Sequence, residues 1–292
     1  MIIEEKIFIF QIFHYLSTLI LNFYIMRKIL SIIASVLLLC GCQNTQTQTK
    51  NDYKFLDAKE KSFENFTVYW LKDNAGDHKF PFELFGNVSD EVKKAVNMPE
   101  GMPSSISAYL IKTNNKYLLF DSGLGQKAGG QLLTQLQNIG VTPENIDYVY
   151  ITHFHGDHIG GMLTPEGEKV FTNADVYVGR LEKESDLGKT ESAVKMLEKY
   201  GDKIHTFEFG DKLPEDVLTL DAVGHTPGHT VFQKGNLLII GDLMHALNLQ
   251  LKYPEYCANF DGDKEKAVES RKKILEYAKQ NNLTISGMHL PY

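Results

Sequence analysis

The run Tyr148-Val149-Tyr150-Ile151-Thr152-His153-Phe154-His155-Gly156-Asp157-His158 constrains this chain more than any other part of it. It begins as an apolar, β-branched and aromatic stretch that reads as a buried strand. It then breaks into a loop carrying three imidazoles and one carboxylate within six residues. His153 and His155 stand at i and i+2 where the strand ends, so both rings project to one side. Gly156 lets the backbone turn sharply enough to bring Asp157 and His158 to a second position close by. Nitrogen and carboxylate donors without thiolate suit zinc first, with manganese, iron or cobalt as alternatives. Four such donors exceed what one catalytic ion takes while keeping an open position, so two divalent cations are expected. The competing reading is a polar loop whose histidines only satisfy one another. Three histidines within six residues, in a chain that has ten in all, weigh against it.

Around this run the chain alternates strands and helices. Phe66 to Leu71 reads as a first strand. Lys72 to Pro103 reads as a long loop that nevertheless carries Phe80, Phe82, Leu84, Phe85, Met98 and Met102. It is expected either to wall a pocket or to pack irregularly into the core. Ser107 to Lys112 and Tyr117 to Phe120 make a hairpin through Asn114-Asn115, and its second strand runs into Asp121. Gly130 to Ile139 is a helix. Leu181 to Tyr200 reads as one charged amphipathic helix with Ala193, Val194 and Leu197 as its buried stripe. The strand Val217 to Val223 delivers Gly224-His225-Thr226-Pro227-Gly228-His229. A hairpin from Val231 to Ile240 ends in Gly241-Asp242, and a helix from Lys264 to Gln280 leads through a strand at 283–286 to His289. Apolar strand, glycine turn, then Asp or His at the strand's carboxyl end is a repeating pattern. It implies a layered α/β sandwich with its site along one edge.

Composition is ordinary for one domain with one substantial core: 292 residues, 43% hydrophobic and 23% charged. A formal charge of −7 without a basic stripe argues against nucleic acid as a partner. The N-terminus differs. Met26-Arg27-Lys28 and the apolar run Ile29 to Leu39 have the form of a secretory signal, and Leu39-Cys40-Gly41-Cys42 resembles the end of a bacterial lipoprotein signal. On this reading residues 1–25 are an over-extended start or apolar leader, 26–41 the signal peptide, 42–62 the lipidated Cys42 with its tether, and 63–292 the functional domain. The protein would then sit at the bacterial cell envelope, held to the membrane by the lipid on Cys42. The alternative is one long uncleaved membrane helix. Mass spectrometry of the mature N-terminus is expected to find a chain beginning at lipidated Cys42, and a chain retaining residues 1–25 would overturn the lipoprotein reading. Cys257 would be the one cysteine left in the mature chain, so no internal disulfide is available.

His153-x-His155-x-Asp157-His158, His225 in Gly-His-Thr-Pro-Gly-His, Gly241-Asp242 and a late His289 together resemble the dinuclear metallo-β-lactamase superfamily, from about Ser104 onward. The resemblance implies a four-layer αββα sandwich. It implies that His153, His155 and His225 hold a first metal, that Asp157, His158 and His289 hold a second, and that Asp242 bridges them. His229 would support the site without binding metal, as would Asp121. Zinc β-lactamases carry a cysteine or another residue where Asp242 stands, and flavodiiron proteins carry Glu where His155 stands. Gly241-Asp242-Leu243-Met244-His245 and the ending His289-Leu290-Pro291-Tyr292 look like the branch of methyl parathion hydrolase and related lactonases. Several acyl-homoserine lactonases have Tyr at the position of His245, which counts against a homoserine lactone as substrate. Relatives also continue beyond the final histidine with further strand residues, so the domain reads as cut short and His289 as lying near a frayed end.

The activity this implies is a hydrolase in which two ions, roughly 3.5–4 Å apart, share a hydroxide that attacks a lactone, ester or phosphotriester. Asp242 would orient the hydroxide and pass its proton to the leaving group, Asp157 is expected among the catalytic residues, and His245, and after it Tyr256, would contact substrate. Phe154, Met244, Leu247 and Tyr253, with the aromatic residues of 80–102, suggest an apolar mouth and a neutral, partly apolar small molecule. A thioester hydrolase of the glyoxalase II type and a non-catalytic metal-binding surface lipoprotein are the alternatives.

Overall fold

The computed structural model describes residues 53–291. The leader, the signal segment, Cys42 and most of its tether lie outside the described residues. Seven strands form one sheet, ordered edge to edge as Ile204–Phe207, Asp175–Gly179, Tyr148–Ile151, Lys116–Phe120, Ser107–Thr113, Thr67–Lys72 and Glu60–Ser62. Six form the other, ordered Lys54–Phe55, Thr284–Ser286, Leu237–Ile239, Thr230–Lys234, Val217–Asp221 and Lys212–Leu213.

Period-two alternation decides which face each side chain takes. Leu118, Phe120 and Tyr150 point to the inner layer, where they meet Phe232, Leu237 and Ile239 of the second sheet. Leu119, Val149 and Ile151 point outward, against Leu132 and Leu136 of the helix Leu132–Asn138 and Ala193, Met196 and Tyr200 of the helix Glu191–Tyr200. Across the molecule, the helix Lys264–Gln280 buries Ile274, Leu275 and Ala278 on Val231, Leu238 and Ile285. Two sheets faced by helices on both outer sides are the expected four-layer αββα sandwich.

Register carries the strand ends to one edge. Lys116–Phe120 and Tyr148–Ile151 run parallel with Phe120 opposite Tyr150, so Asp121 and Thr152-His153 emerge side by side. The hairpin between Ser107–Thr113 and Lys116–Phe120 turns at Asn114 and Asn115, both at positive φ (41° and 66°), a conformation asparagine tolerates better than most residues.

Three stretches depart from expectation. Leu181 to Tyr200 is not one helix but the short helix Arg180–Glu184, a 3₁₀ turn Leu187–Lys189 and the helix Glu191–Tyr200. Ser185 breaks it: its hydroxyl donates to the Glu182 carbonyl and accepts from the Leu187 N–H, replacing helical bonds with local ones. The stripe of the second helix is Ala193, Met196 and Tyr200, while Val194 is 37% exposed. Residues 72–103 are structured. They hold a two-stranded ribbon, His78–Phe80 with Met102–Ser104, a 3₁₀ turn Phe82–Phe85, and a helix Asp90–Val96 capped by the Ser89 hydroxyl. Phe82, Phe85, Val88 and Val96 form their own apolar cluster with Ala246, Leu249 and Ala258, so this segment packs as well as covers. The strand Ile204–Phe207, at the outer edge of the larger sheet, had no clear signal in the sequence.

Candidate metal centre

All seven side chains expected to hold metal converge on one edge of the sandwich. His153 and His155 follow the strand Tyr148–Ile151, His225 follows Val217–Asp221, Asp242 follows Leu237–Ile239, and His289 follows Thr284–Ser286. Asp242 stands among them. Its Oδ1 is 3.1 Å from His158 Nε2, and its Oδ2 lies 3.1 Å from His289 Nε2, 3.3 Å from His225 Nε2 and 3.7 Å from His153 Nε2. Asp157 reaches His289 Nε2 at 3.4 Å and His158 Nε2 at 3.8 Å. The donor atoms of His153, His155, His225 and Asp242 form one group within 4.8 Å of each other, and those of Asp157, His158 and His289 form another.

The ring protons show what these groups are for. His158 Nδ1–H donates to Asp121 at 2.7 Å, His225 Nδ1–H to Asp261 at 2.8 Å, and His289 Nδ1–H to the Ser105 carbonyl at 2.8 Å. Thr152 Oγ1 donates to Asp121 and so accepts from His153 Nδ1–H at 3.0 Å. Four imidazoles thus donate outward from Nδ1 and aim Nε2 inward, the arrangement that orients a histidine ligand. Inside, His153 Nε2 and His225 Nε2 lie 2.9 and 3.0 Å from His155 Nδ1 and 3.2 Å from each other. At most one proton, on His155, can serve these three contacts. The spacing is close to the ~3.3 Å edge of a tetrahedron with metal–nitrogen bonds of about 2.05 Å. His158 Nε2 and Asp242 Oδ1 are buried with no hydrogen-bond partner, although they face one another. Orphaned lone pairs pointed at a common space fit divalent cations.

Electrostatics agree. Burial and the neighbouring charged imidazoles push His155 down to about 4, and burial lowers His153 far below its ordinary value, so both stay neutral as ligands must. For His289 burial acts in the opposite sense, but the Asp242 and Asp157 carboxylates overcome it and raise the ring to about 10. Asp242 is likewise disfavoured by burial as an anion, yet His158, His289 and His153 hold its carboxyl well below the usual range. The edge attracts cations, be they protons or metal ions.

A ring of supporting residues fixes these donors. His229, expected to support without ligating, accepts the Asp242 backbone N–H at Nε2 (2.9 Å) and donates from Nδ1 to the Ala222 carbonyl. Gly241 between them has φ +53° and no room for a Cβ, which would sit 2.6 Å from His229 Nε2. Asp121 takes the Thr152 backbone N–H and hydroxyl as well as His158. His289 is 4% exposed and far from frayed, because Ser104 and Ser105 donate hydroxyls to the His289 and Leu290 carbonyls. Two carboxylates escaped the sequence reading. Asp261 orients His225 and also caps the Ala258 N–H, while Arg271, fully buried, lies 3.7 Å from it. Glu182, 1% exposed, accepts from the Phe154 N–H, the Thr226 hydroxyl and the Gly228 N–H. Asp261-Gly262-Asp263 ahead of a helix was a visible capping signal, but Glu182 within Leu181-Glu182-Lys183-Glu184 offered none.

The mouth is not built as expected. Phe154 and Met244 are buried in core clusters, 2% and 0% exposed, and Leu247 and Tyr253 pack at the margins of others. Tyr256 also packs there, and its carbonyl accepts from Gln250 and Arg271. Phe80, one of the residues of 80–102 expected at the mouth, does flank the centre, and Phe260, which was not expected, flanks it too. Phe80 sets its ring 5.8 Å from His289, and Phe260, 40% exposed, sets its ring 6.0 Å from His225.

Comparison with known proteins follows the same lines. The metallo-beta-lactamase superfamily matches residues 101–289. Exodeoxyribonuclease WalJ of Streptococcus pneumoniae serotype 2 is 32% identical over 111 residues, 37% of this chain and 39% of that protein. The chain therefore aligns with about two fifths of that relative's length. N-acyl homoserine lactonase of Bacillus thuringiensis is 27% identical over 225 residues, 67% of this chain and 83% of the lactonase. Among solved structures, the hydrolase AbOPH of the beta lactamase superfamily superposes with a TM-score of 0.68 at 26% identity, covering 80% of this chain and 90% of that one. AidC, a dizinc quorum-quenching lactonase, superposes at 0.71 with 24% identity over the same shares, a likeness of fold.

Proposed function

The chain belongs to the metallo-beta-lactamase superfamily as a hydrolase of that fold, and on that premise we propose a dinuclear metal-dependent hydrolase acting on a lactone or ester. The observation that carries this reading is the crowding of His153, His155 and His225 nitrogens within 3.2 Å of one another, with at most one proton among them, beside the unpartnered His158 Nε2 and Asp242 Oδ1. His153, His155 and His225 would hold the first ion and Asp157, His158 and His289 the second, with Asp242 within reach of both. Such ions supply Lewis acidity, lowering the pKa of water from 15.7 to about 7 and polarising the scissile carbonyl.

The chain's own residues do the rest. Asp121, Asp261, Thr152 and the Ser105 carbonyl hold the imidazoles in the tautomers that face inward, so no ring reorganises during reaction. Asp242 Oδ1, buried and unpartnered, is placed to take a proton from the attacking water. Asp157, 27% exposed against 3% for Asp242, connects the centre to solvent and is the better placed of the two to carry that proton away. Phe80 and Phe260 present aromatic faces and edges beside the ligands, which suits a neutral substrate with apolar substituents and excludes water as it binds. The lactonase relatives support the same class of bond. The net charge of −7 sets this chain against the polyanionic substrate that the name of the exodeoxyribonuclease relative implies. Anchoring at the cell envelope through Cys42 remains a proposal of the sequence.

A panel of lactones, aryl esters, thioesters and phosphotriesters tests the reading on full-length protein loaded with zinc or manganese. Turnover of a lactone or aryl ester is expected, with a loss of at least about 100-fold on chelation and recovery on adding metal back. Protein that binds two ions and opens none of the four classes would sink the catalytic reading, and preferential thioester cleavage would move it to the glyoxalase II type.

A further inference from the structure

A substrate contact at His245 requires a ring nitrogen facing the open side of the centre, and neither nitrogen does. The residue is 0% exposed, its Nδ1 is buried without a partner, and its Nε2 points at Asp242 Oδ2, 3.2 Å away. We propose that His245 Nε2 is itself a metal ligand, joining Asp242 and His289 in a donor group outside the seven-residue set. This inference rests on the dinuclear reading above.

The donor atoms of Asp242, His245 and His289 lie within 4.8 Å of one another. The two rings stack nearly parallel, 5.0 Å apart at 23°, so their Nε2 atoms approach the same carboxylate oxygen side by side, at 3.2 and 3.1 Å. That oxygen also faces His225 Nε2 and His153 Nε2. An oxygen with two lone pairs can accept from at most two of the four imidazole nitrogens that face it. A cation shared among them resolves the crowding.

The ring is held where a ligand must be. Gln250, fully buried, accepts both the His245 and Ala246 backbone N–H groups on Oε1, at 2.7 and 3.0 Å, and donates Nε2 to the Tyr256 carbonyl. Phe260 stands edge-on at 4.7 Å and Phe80 at 6.2 Å, closing the directions into which the ring could turn. A buried imidazole with one stranded nitrogen is unfavourable unless the other makes a strong bond.

The consequence is chemical. His289 belongs both to the group of Asp157, His158 and His289 and to that of Asp242, His245 and His289, so a second ion drawing on both would have five protein donors, three imidazoles and two carboxylates. Zinc is usually four-coordinate, whereas manganese, iron and cobalt readily take five or six ligands of this kind. The second position therefore favours one of these three over zinc, while the first, with three imidazoles and one carboxylate, suits zinc.

A crystal structure of the full chain loaded with zinc and manganese, with anomalous scattering at both edges, tests this directly. His245 Nε2 is expected about 2.0–2.3 Å from the second ion. His245→Phe keeps the ring's volume between Phe80 and Phe260 and removes both nitrogens. Calorimetric titration should show it losing at least tenfold in affinity for the second ion and nothing for the first. Two bound ions with His245 Nε2 beyond coordination distance, or unchanged affinity in a folded His245→Phe protein, would overturn the proposal. A protein that takes up no pair of ions would overturn the dinuclear reading instead. Should the variant not fold, the anomalous maps of the wild-type protein decide alone.

Discussion

Asparagine at position 242 is expected to lower turnover by on the order of 10³-fold, about 4 kcal/mol of barrier, and to leave the protein with fewer than two ions. Asp242 is the anion that faces residues of both donor groups, with five imidazole nitrogens within 3.7 Å of its two oxygens. The substitution keeps shape and volume and removes the charge. Its backbone N–H still donates to His229 Nε2, so the turn that carries it should hold. Loss of function should therefore come without loss of fold, although melting curves taken in chelator at neutral pH should shift down, because the Asp242 charge that holds His158 and His289 protonated is gone. Elemental analysis of dialysed protein, beside kcat on the best ester or lactone, checks both halves. An Asp242→Asn protein that kept two ions and turned over within tenfold of wild type would remove Asp242 from the centre of the chemistry.

What was legible in the sequence was whatever chemistry is local. The strand and loop of Tyr148 to His158, the Asn114-Asn115 hairpin and the bounds of the helix Lys264–Gln280 are all set by neighbours within a few residues. Phe154 is a case where the same rule was available and not applied. The alternation that turns His153 and His155 to one side turns Phe154 to the other, into the core and away from any mouth. His245 and Phe260 are different, since their relation to His289 and His225 exists only once the loop after Ile240 folds back over the edge. Residues 72–103 looked irregular because their strands and helix are short and find their apolar partners far away, at Ala246, Leu249 and Ala258. Buried carboxylates were the least visible of all. Asp73, fully buried, accepts the Leu124 and Leu132 N–H groups and so closes the glycine-rich turn after Asp121. Nothing near it in sequence distinguishes it from a solvated aspartate.

Glu182 shows what such a carboxylate does, and its removal gives the second large expected effect. It lies between the two loops that carry the residues proposed to hold the first ion, His153 and His155 on one and His225 on the other. Phe154, whose N–H it accepts, separates His153 from His155, and Thr226 and Gly228, whose hydroxyl and N–H it accepts, follow His225. The approach is close enough that a Cβ on Gly228 would lie 2.2 Å from the Glu182 nitrogen. Burial raises the carboxyl above its ordinary value, while the three donors and the His225 charge pull the other way. Glu182→Ala would strand two backbone N–H groups and a hydroxyl, at about 1–3 kcal/mol each before relaxation. A net destabilisation of about 3 kcal/mol is expected in urea unfolding of the metal-free protein. Affinity for the first ion should fall 10- to 100-fold, on the order of what losing an outer support costs. Asp157, His158 and His289, the residues proposed to hold the second ion, make no hydrogen bond to Glu182, so affinity there should change little. Glu182→Gln, which keeps one acceptor oxygen, should fall between the wild type and the alanine variant on both measures. The asymmetry between the ions is the decisive readout, because a general loosening of the fold would weaken both together. Equal losses at the two positions in a calorimetric titration would reduce Glu182 to a packing residue.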